Sequence, residues 1–131
     1  MARDLQADHD QLRAIMRRFA IAMDRGAEAF ATLHRERVLF SQLFRAHMIE
    51  EEAFARSILG DDAARIAWSL EFHALLRDYS AHISAWTPAR VKIEWSAYRA
   101  AVMALQARLN ARMDWEEREL HPRLPPRPVA A

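Results

Sequence analysis

The sequence predicts an all-α domain, an antiparallel up-and-down bundle of four helices. Three observations carry that prediction. The 131 residues hold only two glycines, Gly26 and Gly60, each just after a long run of good helix formers where a C-terminal cap is expected. Apolar residues recur at helical spacing through all four runs that these glycines and Thr87-Pro88 mark off. A passage with a histidine near a helix start and a doubled glutamate about forty residues later occurs twice.

The elements follow in order. The first helix is predicted over 4-25, with Leu5, Leu12, Met16, Phe19 and Met23 on the face of His9, and Gly26 ends it. The second, over 28-58, places Phe40, Leu43, Phe44, Phe54 and Ile58 with His47 before Gly60. Asp61 and Asp62 then offer carboxylates to the free amides of a third helix over 62-85, whose Ile66, Leu70, Leu76 and Ile83 are expected beside His73. Thr87-Pro88 pairs a capping hydroxyl with a ring fixed near helical φ and opens the fourth helix, 89-121, with Val102, Leu105, Leu109 and Leu120 near Arg112. The domain is thus 1-121, and 122-131 is a Pro-rich irregular tail.

Antiparallel neighbours must bring partner residues to one height above their turn. His47 and His73 each lie thirteen residues from Gly60, so the second and third helices match, and the first pair agrees to about one turn. From His73 to Thr87 is fourteen residues, but from Thr87 to Arg112 is twenty-five. The stretch from Thr87 to about Tyr98, with Trp86, Trp95 and Tyr98, is therefore expected as a long connection or overhanging helix, serving as a lid or an association surface.

Composition removes several function classes. A net charge of +1, from 19 basic and 18 acidic side chains spread along the chain, leaves no footprint for nucleic acid or an anionic membrane. The absence of cysteine excludes disulfides, thiolate metal sites and thiol catalysis. The charged start Met1-Ala2-Arg3-Asp4 lacks an apolar signal core, and no run approaches the roughly 20 apolar residues that span a bilayer, so a soluble cytoplasmic protein is expected. With no phosphate loop and no nucleophile-base arrangement, turnover is not expected either.

The chemistry lies in the repeat. The first copy reads His9-Asp10-Gln11-Leu12-Arg13 and then Ala46-His47-Met48-Ile49-Glu50-Glu51-Glu52; the second reads His73-Ala74-Leu75-Leu76-Arg77 and then Ala111-Arg112-Met113-Asp114-Trp115-Glu116-Glu117. His47 and Glu51 at i,i+4 put an imidazole and a carboxylate one turn apart on a core-facing stripe. With His9 from the neighbouring helix they make a set suited to Fe(II), Mn or Zn with open positions, and Glu116 approaches from the fourth helix. At 100° per residue His34, His82 and His121 lie far round from His47, His73 and Arg112, outside any shared site. Ferritin-like bundles use Glu-x-x-His, and no histidine here has a glutamate three residues before it. Glu50, Glu52, Glu117 and Glu119 are expected on solvated faces or in supporting pairs.

His9-x-x-Leu12-Arg13, His47-x-x-x-Glu51-Glu52, His73 and Glu116-Glu117-Arg118-Glu119-Leu120-His121-Pro122 together resemble the hemerythrin HHE cation-binding family over nearly the whole chain. The resemblance implies a bundle with a non-heme di-iron site, one iron held by histidines of the first two helices, the other by those of the last two, and bridging carboxylates. Carried onto this chain it marks His9, His47, Glu51, His73 and Glu116 as ligands, while the histidine expected at 112 is arginine. A guanidinium has no lone pair for a metal. Arg77, one turn beyond His73, is expected to aim a second guanidinium at the same half, so that Arg77 and Arg112 pair with Glu51 and Glu116.

Two functional classes follow. One is a metalloprotein with one or two irons that senses or sequesters iron, O2 or NO. The other is a metal-free helical signalling or interaction module whose cavity the two arginines fill and whose aromatic connection binds a protein partner; a hydrophobic surface helix would also allow a homodimer. A heme held by one of the remaining histidines is a weaker third reading, since a bundle rich in Trp, Met and His can hold a tetrapyrrole.

Overall fold

The computed structural model describes residues 4–59 and 63–123. Five helices follow one another: α1 (Leu5–Asp24), α2 (Phe30–Leu59), α3 (Ala63–Ala85), α4 (Pro88–Ile93) and α5 (Trp95–Glu119), with 3-10 turns at Gly26–Ala29 and His121–Arg123. The described residues are all-α, with no strand. The first three helices lie within two residues of their predicted limits, and the fourth is divided. The expected helix stop at Gly60, the caps at Asp61 and Asp62, the side chain of Ile66 and the tail beyond 123 lie outside the described residues. Among the described residues, no helix is long and apolar enough to cross a membrane.

The caps act as their chemistry requires. Asp4 accepts a hydrogen bond from the Ala7 amide at 2.9 Å, satisfying one of the free donors at the start of α1. After α1, Gly26 takes φ of +80°, the left-handed conformation that a residue with a Cβ adopts only with strain. The Thr87 hydroxyl accepts from the Arg90 amide at 3.3 Å, with Pro88 in the first turn of α4. Arg37 of α2 donates to the carbonyls of Ile83 (2.6 Å) and Trp86 (2.7 Å), closing the C-terminal end of α3.

Contacts between helices set the register. Along α1 and α5, Gln6 meets Glu117, Arg13 meets Asp114, the Met16 carbonyl meets Gln106 and Asp24 meets Arg99, so one numbering rises as the other falls. Ser41 lies across from Tyr79 at 2.5 Å and Arg37 across from Ile83, the register that sets position 47 level with 73. The height predicted by counting from Gly60 is therefore met.

The rotation of α3 differs from the prediction. Among its described side chains Trp68, Phe72 and Leu75 are buried, with Leu76 and Tyr79 packed against the core, while Leu70 is 69% exposed and His73 is also exposed. Rings at 68, 72 and 79 bury more apolar area than Leu70 offers, and the helix turns to bury them while Leu76 keeps its place against the core. One residue is 100° of rotation, so burying Phe72 turns His73 toward solvent.

The core has two parts. Leu12, Ile15, Phe40, Phe44, Phe72 and Leu109 anchor one; Phe19, Met23, Leu33, Trp86, Tyr98 and Val102 anchor the other. The segment expected as an overhang belongs to the second. At Glu94, φ −116° and ψ 50° break the helix between α4 and α5, and Val91, Trp95 and Tyr98 join that cluster. Arg90 stacks its guanidinium over Trp86, 3.8 Å from the ring centroid. Trp86, Val91 and Tyr98 make the connection a buried plug, while Ile93 of the same segment stays 83% exposed.

Candidate metal centre

Three helices converge on a polar group at the other end of the molecule. His9 comes from α1, His47 and Glu51 from α2 and Glu116 from α5, all buried. One donor atom from each lies within 4.8 Å of every other. His9 Nε2 stands 3.1 Å from His47 Nε2 and 3.4 Å from Glu116 Oε1, and His47 Nε2 stands 3.0 Å from Glu51 Oε2. Leu12 and Met48 are buried near His9 and His47 along the chain, so the amphipathic stripes that bury the core also carry the polar atoms inward.

Each imidazole is held from behind. His9 Nδ1 is 3.2 Å from Glu117 Oε2, and His47 Nδ1 is 3.1 Å from Asp8 Oδ2. A carboxylate only accepts, so the ring hydrogen of each neutral imidazole sits on Nδ1 and the bare Nε2 points inward. There it meets another Nε2 and two carboxylates. Glu51 Oε1 and Oε2 and Glu116 Oε2 are buried without a hydrogen-bond partner among the described residues. Acceptors so crowded require a proton or a cation among them. Burial pushes the Glu51 pKa up, and a proton placed on Nε2 of His121, His47 or His9 would donate to this carboxylate and hold it below the usual range.

Glu117 is itself clamped. Arg13 reaches both its oxygens, through Nη1 at 3.1 Å and through a very short contact from Nη2, and Gln6 donates at 2.7 Å. Partial burial opposes these contacts, yet they bring its pKa down to about 2. The supporting role expected of this glutamate is the one it occupies.

Of the remaining expected residues, Arg112 faces the centre. Its Nε is 3.4 Å from Glu116 Oε2, its Nη1 is 2.8 Å from Glu71, and its guanidinium lies over Trp115 at 4.7 Å. Burial lowers its pKa, against the pull of Glu51 and Glu71. Two placements correct the sequence-based expectation. His73 is turned outward with the rotation of α3, and Arg77, one turn on, pairs at the surface with Asp78 at 3.9 Å instead of entering the cavity. The second half of the repeat thus brings Glu116 and Arg112 to the centre, but neither His73 nor Arg77.

Two residues at the centre were not expected from the sequence. Asp8 sits 100° round from His9, on the side facing α2, which no periodicity of α1 alone reveals. His121 is placed outside by helical angle, but α5 ends at Glu119 and His121 lies on the following turn, where that angle no longer applies. Its ring stands 4.7 Å from that of His9, and its Nε2 is 3.8 Å from Glu51 Oε2.

The fold and the buried His/Glu group define an all-helical protein with a candidate metal site. No protein-family model, curated protein or solved structure matches the chain.

Proposed function

We propose that this chain is a hemerythrin-like metalloprotein, an antiparallel up-and-down four-helix bundle in which α4 and α5 together form the fourth arm, and that it holds one non-heme metal ion, iron, at His9, His47, Glu51 and Glu116. The observation that carries the reading is the convergence of two bare Nε2 atoms and two carboxylates, with each imidazole braced outward by a carboxylate. Metal bonds of about 2.0–2.2 Å separate neighbouring donors by roughly 3.0–3.5 Å, and the separations of 3.0, 3.1 and 3.4 Å found here suit them. Two imidazoles with carboxylates favour Fe(II), Mn or Zn, and the sequence resemblance favours iron. Such an ion supplies open coordination positions for a small diatomic ligand, and sensing or sequestering O2, NO or the iron itself follows from that chemistry. One ion fits better than two, because a fixed guanidinium at Arg112 stands beside Glu116 and His73 faces away.

The second reading is a metal-free interaction module. The contact of Arg112 with Glu116, between the rings of buried Trp68 and half-buried Trp115, favours it by neutralising part of the carboxylate charge. Anaerobic loading with Fe(II), removal of free ion and elemental analysis decide between the two. About one iron per chain, with a new visible band on adding NO, is the expected result. About two irons would overturn the single-ion form, and none would leave the metal-free module.

A further inference from the structure

We propose that His121 is a third imidazole ligand of this metal centre, supplied by the turn that follows α5. The inference rests on the metal-binding reading above and adds a donor that neither the repeat nor the resemblance supplies. It begins with the way α5 stops. Leu120 is buried in the core, its amide bonds back to the Glu116 carbonyl at 2.9 Å, and the Arg123 amide closes the turn on the Leu120 carbonyl at 3.0 Å. Anchoring Leu120 turns the chain, and the His121 ring folds over α1 to lie 4.7 Å from the His9 ring at 32°.

The orientation of the ring follows from its neighbours. Gln6 donates its amide nitrogen to Glu117 at 2.7 Å and to Asp10 at 3.3 Å, which turns its carbonyl oxygen toward His121 Nδ1 at 3.4 Å. That oxygen only accepts, so the hydrogen of neutral His121 sits on Nδ1 and the Nε2 lone pair points inward. Nε2 is buried, has no hydrogen-bond partner among the described residues, and stands 3.8 Å from Glu51 Oε2. His9 Nε2 stands at the same 3.8 Å from that oxygen. The three imidazoles thus share one arrangement, with Nδ1 tied outward to Glu117, Asp8 or Gln6 and Nε2 turned to the carboxylates. An imidazole kept only for packing has no need of an unpartnered buried nitrogen, which costs free energy without a ligand. His121 stands beside the four donors that lie within 4.8 Å of one another, so its Nε2 has to close inward on the ion to join them, and with it five of six octahedral positions are filled.

The test compares Co(II) affinity, by competition with a chromophoric chelator, in the full chain and in His121→Ala, together with the visible Co(II) spectrum. Loss of a partner that only supports a ligand typically weakens a site by about 10–100-fold. A loss beyond 100-fold, with a changed Co(II) spectrum, is expected. An equal affinity, or a loss within 10–100-fold with the spectrum unchanged, overturns direct ligation while leaving the metal site in place. Failure of the unaltered chain to bind Co(II) overturns the metal reading itself. His121→Asn, which keeps a polar side chain on the turn, is measured beside it. A metal-free circular dichroism melt identifies a variant that has failed to fold, and the other variant then decides the question.

Discussion

Glu117→Ala isolates the brace behind one ligand without touching the inward-facing atoms. The side chain accepts from His9 Nδ1 at 3.2 Å and is gripped by Arg13 and Gln6, so removing it frees the His9 ring to rotate and to place its hydrogen on either nitrogen. A hydrogen bond to a charged group contributes about 1.5–3 kcal/mol. At about 1.4 kcal/mol per tenfold, that corresponds to roughly a 10–100-fold loss in metal affinity, the range also found for partners that orient a metal ligand. Competition titration against a chromophoric chelator under anaerobic Fe(II) reads it directly. Glu117→Gln keeps an oxygen able to accept from His9 and should recover most of the loss, although it gives up the charge that faces Arg13. Unchanged affinity in Glu117→Ala, or a glutamine variant as weak as the alanine one, would refute the idea that this carboxylate sets the tautomer.

The other predictions concern rotation, stoichiometry and pH. Phe72→Ala should cost about 3–5 kcal/mol by denaturant titration and His73→Ala no more than about 0.5 kcal/mol, because the first ring is buried and the second exposed; the reverse order would mean α3 is turned the other way. Arg112→His should leave iron at about one per chain by elemental analysis, since the histidine expected to complete a second site faces solvent; two irons would require His73 inside. Burial and the nearby Arg37 lower the His82 pKa from 6.5 to about 4. The unfolded chain therefore binds the proton first, and the stability tied to neutral His82 is complete above about pH 6.5 and lost as pH falls toward about 4. His82→Phe should lose less stability over that window, and parallel melting profiles for the two proteins would contradict the assignment.

Much of this was legible in the sequence because it depended on local chemistry. Asp4, Gly26 and Thr87-Pro88 are read from capping rules, and His47 with Glu51 from a single turn of helix. Counting through Gly60 set the height of His73 correctly, yet not its direction. Which face a helix buries is decided by competition between neighbouring stripes, and on α3 the rings at 68, 72 and 79 prevail over Leu70 and His73. The break at Glu94 was equally hidden, since no proline or glycine marks it; it follows from packing Val91, Trp95 and Tyr98 onto Phe19 and Leu33. Asp8 and His121 depend on contacts between elements, 39 residues apart for Asp8 and His47, which no single-helix pattern contains.

The plug formed by Trp86, Val91 and Tyr98 gives the molecule two unequal ends. One is sealed by apolar packing, with Arg90 over Trp86 and Arg37 tying off the last carbonyls of α3, and needs no metal ion. The other closes around lone pairs and carboxylates whose mutual repulsion Arg112 offsets only in part. Local stability need not be uniform along a bundle. On the metal-binding reading proposed above, the plugged end stays ordered while the far ends of α1, α2 and α5 would tighten when an ion binds, so a rigid stem would carry an end whose firmness reports it.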